Sequence, residues 1–329
     1  ARSGCRTAPS SLHSRTSYRV MSEPAIIATE LVKRYGSTAA VDRISFSVEE
    51  AELFGFIGPD GAGKTTLFRM IATLLTPDGG TVRVDGLDAV RDYRKLRTRL
   101  GYMPGRFSLY QDLTVEENLS FFASVFGTTI EENYDLIRDI YVQIEPFRDR
   151  KAGALSGGMK QKLALSCALI HSPHVLLLDE PTTGVDAVSR EEFWEVLLRI
   201  KASGITIVVS TPYMDEASLC DRVALMQNGR LLDIAAPPDI TARHPHRVFA
   251  VKSDSRYPMI RALREYRHSH SVYAFGEHVH YTDRRPDVDP DTIAAFLTDR
   301  SFTGVQVRLI EPDVEDTFME LMAAREKVE

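Results

Sequence analysis

Apolar and polar positions along the chain switch repeatedly between a period of two and a period near 3.6 from Ala25 onward. "AIIATELVKRYG" and "AAVDRISFSVEE" read as two strands around a turn at Gly36. "ELFGFIGPDGAGKTTLFRMIATLL" reads as a buried strand, a glycine-rich loop and a helix. "HVLLLDEP" and "GITIVVSTP" are short apolar runs, the second rich in β-branched residues, with the helix "SREEFWEVLLRIKAS" between them. Continuous apolar strands separated by helices predict a mostly parallel sheet covered on both faces. Residues 113 to about 154 break this rhythm. They are helical and free of strands, and "LTVEENLSFFASVF" opens with the capping box Thr114 and Glu117. This stretch and the helix after it, about 113–170, read as a helical insertion in the α/β core.

After about Ile240 the pattern changes again. "RVFAVKSD" reads as a strand and "RYPMIRALREYRH" as a helix. "SVYAFGEHVHYTD" reads as a hairpin turning at Gly276-Glu277. "DPDTIAAFLTDR" is a helix with proline near its start, "GVQVRLIEP" a strand, and "DVEDTFMELMAAREK" a closing helix. The order β-α-β-β-α-β is that of a split βαβ unit, a small ferredoxin-like α+β fold. Three segments result: an extension over 1–24, a main α/β domain over 25–240, and an accessory domain for dimerisation or regulation over 241–329.

Composition narrows the setting. The 329 residues, 43% hydrophobic with a net charge of −6, suffice for more than one domain, and the acidic balance argues against nucleic acid as the main partner. Cys5, Cys167 and Cys220 are odd in number and far apart, which fits a reducing cytosol better than a disulfide framework or a zinc knuckle. No apolar run approaches the roughly 20 residues of a membrane span. The first twenty residues hold Arg2, Arg6, Arg15 and Arg19, several serines and no acid. That composition suits a transit peptide, but an apolar face at helical spacing is missing, so a non-native stretch ahead of Met21 is the preferred reading.

Three motifs carry chemistry. Gly58-Pro59-Asp60-Gly61-Ala62-Gly63-Lys64-Thr65-Thr66 fits G-x-x-x-x-G-K-[ST], after an apolar strand and at the opening of a helix. Its glycines let backbone N–H groups turn inward around phosphate oxygens. Lys64 reaches the β- and γ-phosphates, and Thr65 offers a hydroxyl to Mg²⁺. Asp179 and Glu180 stand where a buried strand emerges. Asp179 suits the Mg²⁺ shell and Glu180 the orientation or deprotonation of an attacking water. Ser156, Gly157 and Gly158 precede the helix "MKQKLALSCALI" and form a second helix-terminal anion site. Standing alone, that triplet would be read as a helix cap. Two anion sites in one chain then raise the question of why one nucleotide needs both.

"GPDGAGKTT", "LSGGMKQKL" and "LLLDEPTTGVD", in this order, resemble the nucleotide-binding subunit of an ABC transporter over about residues 26–240. Among these the chain is similar to the ATP-binding subunits of bacterial ABC-2-type exporters, often named multidrug exporters, and its ending "RLIEPDVEDTFMELM" is similar to their C-terminal extension. The resemblance implies a P-loop NTPase fold, ATP and Mg²⁺ as ligands, and an ATPase that powers export. It also implies a head-to-tail homodimer or heterodimer in which the phosphate loop of one chain faces the signature loop of the other, which answers the question of two sites. Tyr35 would stack on adenine, Gly58 to Thr66 would hold phosphates and Mg²⁺, and Ser156, Gly157 and Gly158 would touch the γ-phosphate across the dimer. Asp179 would serve Mg²⁺, Glu180 the water, and Asp186 the dimer seam. Separately encoded permease subunits would place the chain at the cytoplasmic face of the cell membrane, with no nucleic acid expected. A soluble ABC ATPase not linked to transport is a rival reading, and a hydrolysis-impaired partner in a heterodimer is another.

Two positions depart from the family. The loop "GYMPGRF" has Gly105 where a glutamine usually touches Mg²⁺, and Gln111 nearby is out of register. "VVSTPYMDEA" has Pro212 where a histidine usually holds the γ-phosphate. Both losses fall on groups that position charge, which is most of phosphoryl-transfer catalysis, so firm ATP binding with slow hydrolysis is expected. The accessory domain carries three H-x-H pairs, His244/His246, His268/His270 and His278/His280. With no third ligand in view, these read as solvated strand faces and loops rather than metal chelators.

Overall fold

The computed structural model describes residues 23–326. The extension read over 1–24 lies outside them, apart from its last two residues.

The chain opens with an antiparallel hairpin, β1 (Ile26–Tyr35) and β2 (Thr38–Val48), turning at Gly36 with φ of +60°. β3 (Leu53–Ile57) leads through the glycine-rich loop into α1 (Lys64–Ile71). Next come β4 (Gly79–Val84), β5 (Leu87–Asp88), α2 (Tyr93–Leu96) and β6 (Leu100–Met103). The helical insertion follows as α3 (Val115–Phe126), α4 (Tyr134–Tyr141) and α5 (Gly157–Leu169). β7 (Val175–Asp179), α6 (Ala187–Ala202), β8 (Thr206–Thr211), β9 (Arg222–Gln227), β10 (Arg230–Ala235) and α7 (Pro237–Thr241) complete this part. Both halves of the capping box at α3 are formed: Thr114 Oγ1 accepts from Glu117 N, and Glu117 accepts from Thr114 N.

Two sheets result. The central one has six strands in the order β10-β9-β3-β8-β7-β6, parallel except for β10. The other has four antiparallel strands in the order β2-β1-β4-β5. This second sheet is more than the sequence reading provides. The alternation that builds β4, with Val82 and Val84 inward, spans too few residues to stand out.

The central strands read as continuous apolar runs because they face two cores. Leu53, Leu176, Leu178, Ile207 and Val209 point to one core, shared with the helical insertion and α6. Phe54, Phe56, Val175, Leu177 and Val208 point to the other, shared with α1 and the antiparallel sheet. A polar side chain within these strands is therefore buried whichever way it points, and at about 25 cal/mol per Å² of apolar area the pattern is strongly enforced.

The remaining chain forms β11 (Val248–Lys252), α8 (Arg256–Arg264), β12 (Ser269–Phe275), β13 (His278–Asp283), α9 (Pro290–Thr298), β14 (Gln306–Ile310) and α10 (Val314–Glu326). Its sheet runs β12-β13-β11-β14, with every neighbouring pair antiparallel. Its own core holds Phe249, Met259, Leu263, Tyr281, Ile293 and Leu297. The closing helix α10 leaves this unit and sends Val314 and Phe318 into the first core, beside Ala217, Cys220, Ala235 and Ile240.

The histidines of this region differ from the solvated reading. His270 and His280 keep only 21% and 13% of their side-chain surface exposed, because α10 lies over them and offers Glu320 and Asp316 as partners. Sequence spacing could not bring that helix to the strands.

Candidate functional site

The ends of β3, β7 and β8 meet at one edge of the central sheet, the carboxyl edge where ligands bind in open α/β folds. Gly58 follows β3 and donates its N–H to Thr211 O at 3.3 Å, which ties the loop to β8. A β-carbon on Gly58 would stand 2.1 Å from Met226 O, so no larger residue fits there. Gly63 caps α1 in the left-handed region, φ +103°, and a β-carbon on it would stand 2.1 Å from Ala40 O. Pro59, Asp60 and Gly61 are exposed at the tip, Ala62 is buried with its N–H bonded to Pro59 O, and Thr66 is half-buried in the first turn of α1. The first N–H groups of that helix have no intrahelical partner and the helix dipole is positive there, so the loop mouth favours an anion.

Lys64 is 3% exposed. Its ammonium donates to Gly58 O at 2.7 Å and Pro59 O at 3.0 Å, and it lies 3.3 Å from Glu180 Oε1. Thr65 Oγ1 donates to Asp179 Oδ1 at 3.2 Å, and Ser210 Oγ donates to the same oxygen at 2.8 Å. Burial pushes the Asp179 carboxyl above the usual carboxylate range, against the hydrogen bonds from Ser210 and Thr65 that favour its charged form. Glu180 has φ of +53°, uncommon for a residue with a side chain, and its N–H bonds to both Ser210 O and Ser210 Oγ at 3.0 Å. Those two bonds hold the turn that brings its carboxylate to Lys64.

Ser210 is the residue the sequence reading lacks. It is fully buried, and its one hydroxyl donates to the Asp179 carboxylate and accepts from the Glu180 backbone N–H. The available signal is a hydroxyl at the carboxyl end of an otherwise apolar, β-branched strand. Glu216 is a second such residue. It is 2% exposed and accepts from Thr182 and Thr211 hydroxyls, while Arg190 Nε lies 3.2 Å from its Oε1.

Other sequence-derived positions lie apart from this cluster. Ser156 caps α5, accepting from Met159 N at 3.4 Å, and Gly157 and Gly158 face Gly184 and Ser189 across the start of α6. Asp186 caps α6 by accepting from Ser189 N at 3.0 Å. Tyr35 is 51% exposed at the end of β1. Among the described residues, no hydrogen bond joins Tyr35 or Ser156 to the loop of Lys64. Gly105 does reach the cluster: a β-carbon on it would lie 2.8 Å from Asp179 O and 3.6 Å from Glu180 Cβ. Pro212 directly follows β8 and has no N–H to offer, and the next residue, Tyr213, donates its N–H to Thr211 Oγ1 at 3.0 Å.

The donor set is coherent. A hydroxyl and a buried carboxylate sharing one contact are hard oxygen ligands of the kind Mg²⁺ takes, and a lysine and helix N-terminus beside them suit phosphate.

A family model described as ABC transporter matches residues 41–183. The probable multidrug ABC transporter ATP-binding protein YbhF of Escherichia coli is 42% identical over 223 residues, which cover 67% of this chain but 39% of that protein. The chain thus spans well under half the length of that relative. A Nod factor export ATP-binding protein I from a Rhizobium species is 34% identical over 306 residues, covering 92% of this chain and 98% of that one. Among solved structures, cbiO1 of Clostridium perfringens, part of the ABC transporter complex cbiONQ, superposes with a TM-score of 0.60 at 28% identity, over 67% of this chain and 91% of that one.

Proposed function

The chain belongs to the family of ABC transporter ATP-binding proteins, and from that membership we propose that it binds ATP with Mg²⁺, dimerises on it, hydrolyses it slowly and drives a membrane exporter. The observation that carries this reading is the meeting of Lys64, Thr65, Asp179, Glu180 and Ser210 at one sheet edge.

In this reading the loop from Gly58 to Thr66 holds the phosphates through its N–H groups, and Lys64 neutralises the β- and γ-phosphates. Tyr35 stacks on the adenine. Thr65 and Asp179 hold Mg²⁺, which when bound screens the charge of the β- and γ-phosphate oxygens. Glu180 receives the proton of the attacking water, and the paired bonds from its N–H to Ser210 fix its direction. Ser156, Gly157 and Gly158 lie outside this cluster and complete the site of a second ATPase subunit, with Asp186 at the seam. Among the described residues no helix is long and apolar enough to cross a membrane. Separately encoded permease subunits would span it, with this chain on their cytoplasmic face.

Gly105 and Pro212 favour a second reading, in which the chain is the weakly hydrolysing member of a heterodimer. Sedimentation velocity with and without MgATP tests the dimer directly. Wild type is expected to shift to a dimer and Ser156→Arg to stay a monomer while still binding ATP, because the cation fills the site facing the second subunit. A Ser156→Arg protein that dimerises like wild type contradicts the proposed arrangement. A wild type that stays monomeric with ATP bound supports the heterodimer.

A further inference from the structure

Most histidines of the three H-x-H pairs take partners from outside their own pair. His244 turns its Nδ1 to His246 O at 2.7 Å, and His268 packs its ring against Tyr266. His246 and His270, from different pairs, bring their rings to 4.1 Å. Glu320 of α10 joins them, both carboxylate oxygens lying within hydrogen-bond distance of His270 Nε2, at 3.1 and 3.0 Å. One ligand atom from each of the three residues lies within 4.8 Å of the others, and all three side chains are half-buried.

A break in strand alternation creates this meeting. Ser269 pairs with Asp283 and Ser271 with Thr282, so His270 is an extra residue on β12 with no partner across the ladder. Strict alternation would place His270 on the face of Val272, which belongs to the core with Tyr281. The bulge turns it to the opposite face, where α10 lies, as bulges do when they re-aim a side chain. On α10 Asp316 and Glu320 stand four residues apart and so share the helix face that meets β12 and β13.

We propose that His246, His270 and Glu320 form a site for a transition-metal dication of the zinc type. Two imidazoles and one carboxylate suit zinc and its neighbours, whereas Ca²⁺ and Mg²⁺ take oxygen ligands. Metal–ligand distances near 2.1 Å in tetrahedral geometry give ligand-to-ligand edges of about 3.4 Å. The His270–Glu320 edge already lies within that length, and the other edges close by side-chain rotation of half-buried groups. Three protein ligands leave a fourth position open to water or a small anion.

A second group, His280, Asp313 and Asp316, has a different explanation. Asp313 N donates to Asp316 Oδ2 at 3.0 Å and Asp316 N to Asp313 Oδ1 at 2.8 Å, so these carboxylates cap α10. It forms no part of the proposal.

The three ligands come from separate places: the segment before β11, strand β12 and helix α10. The same helix anchors Val314 and Phe318 in the core beside Ala217 and Ile240. A metal bound here fastens the C-terminal sheet to the helix seated on the main domain, so metal supply would set how firmly that sheet is held.

The test uses the full-length protein, stripped of metal and titrated with Zn²⁺ alone by calorimetry in millimolar Mg²⁺, with Co²⁺ as a coloured substitute. Wild type and His278→Gln are expected to take up one Zn²⁺ per chain and to give a visible Co²⁺ absorption band. His246→Gln, His270→Gln and Glu320→Gln should each weaken binding by more than the roughly 10–100-fold typical of losing an outer-shell partner. Each should also lose the Co²⁺ band and the rise in melting temperature that Zn²⁺ gives the wild type. Circular dichroism checks each variant for folding. His246→Gln alters a segment outside the strands, so it still reports on the site if His270→Gln unfolds. Absence of stoichiometric Zn²⁺ uptake by wild type, or uptake unchanged in the three variants, overturns the proposal and leaves His270–Glu320 as a plain hydrogen-bonded pair.

Discussion

Replacing Gly105 by alanine asks whether the missing glutamine is a free position or one closed by packing. The backbone φ of Gly105 lies outside the left-handed region, so alanine is conformationally allowed. On that ground alone Gly105→Ala should stabilise by about 0.4–1 kcal/mol, by restricting the unfolded chain. The structure reverses the sign. A β-carbon at this position stands 2.8 Å from Asp179 O, against carbon–oxygen contacts of about 3.3 Å or more. That oxygen belongs to the end of the central strand β7, buried throughout, and cannot step aside as a flexible side chain would. Forcing extra volume into such a place costs about 1–3 kcal/mol. The net expectation is a loss of roughly 1–2 kcal/mol, and for a domain of this size a melting temperature about 2–8 °C lower. Thermal melts followed by circular dichroism measure it. Gly105→Ala melting at or above the wild-type temperature would show instead that the loop is free to move away from the Asp179 carbonyl. The same carbonyl meets Gly105→Gln. The double substitution Gly105→Gln with Pro212→His is therefore expected to raise phosphate release while lowering the melting temperature.

Lys64→Ala removes the main countercharge of the phosphate loop. Loss of charged hydrogen bonds worth about 1.5–3 kcal/mol each should weaken MgATP binding by at least roughly tenfold in a titration, and unchanged affinity would contradict the assignment. In the C-terminal unit Asp283 is 3% exposed, accepts from Tyr281 at 2.7 Å and is forked by Arg285 at 2.9 Å. Burial alone would raise its carboxyl, but the bonds from Arg285 and Tyr281 outweigh it and hold it below the usual range. Its stabilising contribution is thus complete above about pH 4 and fades as pH falls through the lower folded value. Asp283→Asn should cost about 1–3 kcal/mol at neutral pH in urea unfolding, with the gap to wild type narrowing in acid. A constant gap across pH would show that the carboxylate charge is not what stabilises this cluster.

Much of the site is legible in the sequence because its residues sit in contiguous runs. Gly58 to Thr66 and Asp179-Glu180 carry their geometry with them: a strand end, a tight turn and a helix start. Ser210 is not legible, since its role depends on β8 lying beside β7, a pairing between residues 31 apart. The antiparallel sheet escapes for a related reason. β4 and β5 are short, and they become strands by pairing with β1 and each other rather than by their own pattern. The histidines show the limit of spacing rules. A period of two predicts that His268 and His270 share a face, but the bulge at His270 breaks that period, and its partner Glu320 lies 50 residues away.

Glu180 is proposed as the base of a working ATPase despite Gly105 and Pro212. Phosphate release at saturating MgATP, compared between wild type and Glu180→Gln, tests it most directly. A positioned base typically supplies about 10²–10⁴ in rate, and the amide keeps the shape while losing the basicity. Wild type is expected to release phosphate slowly and steadily, and Glu180→Gln to fall by about a hundredfold or more, with ATP binding retained. Equal rates for the two proteins would contradict that role, because the water would then be activated by some group other than Glu180.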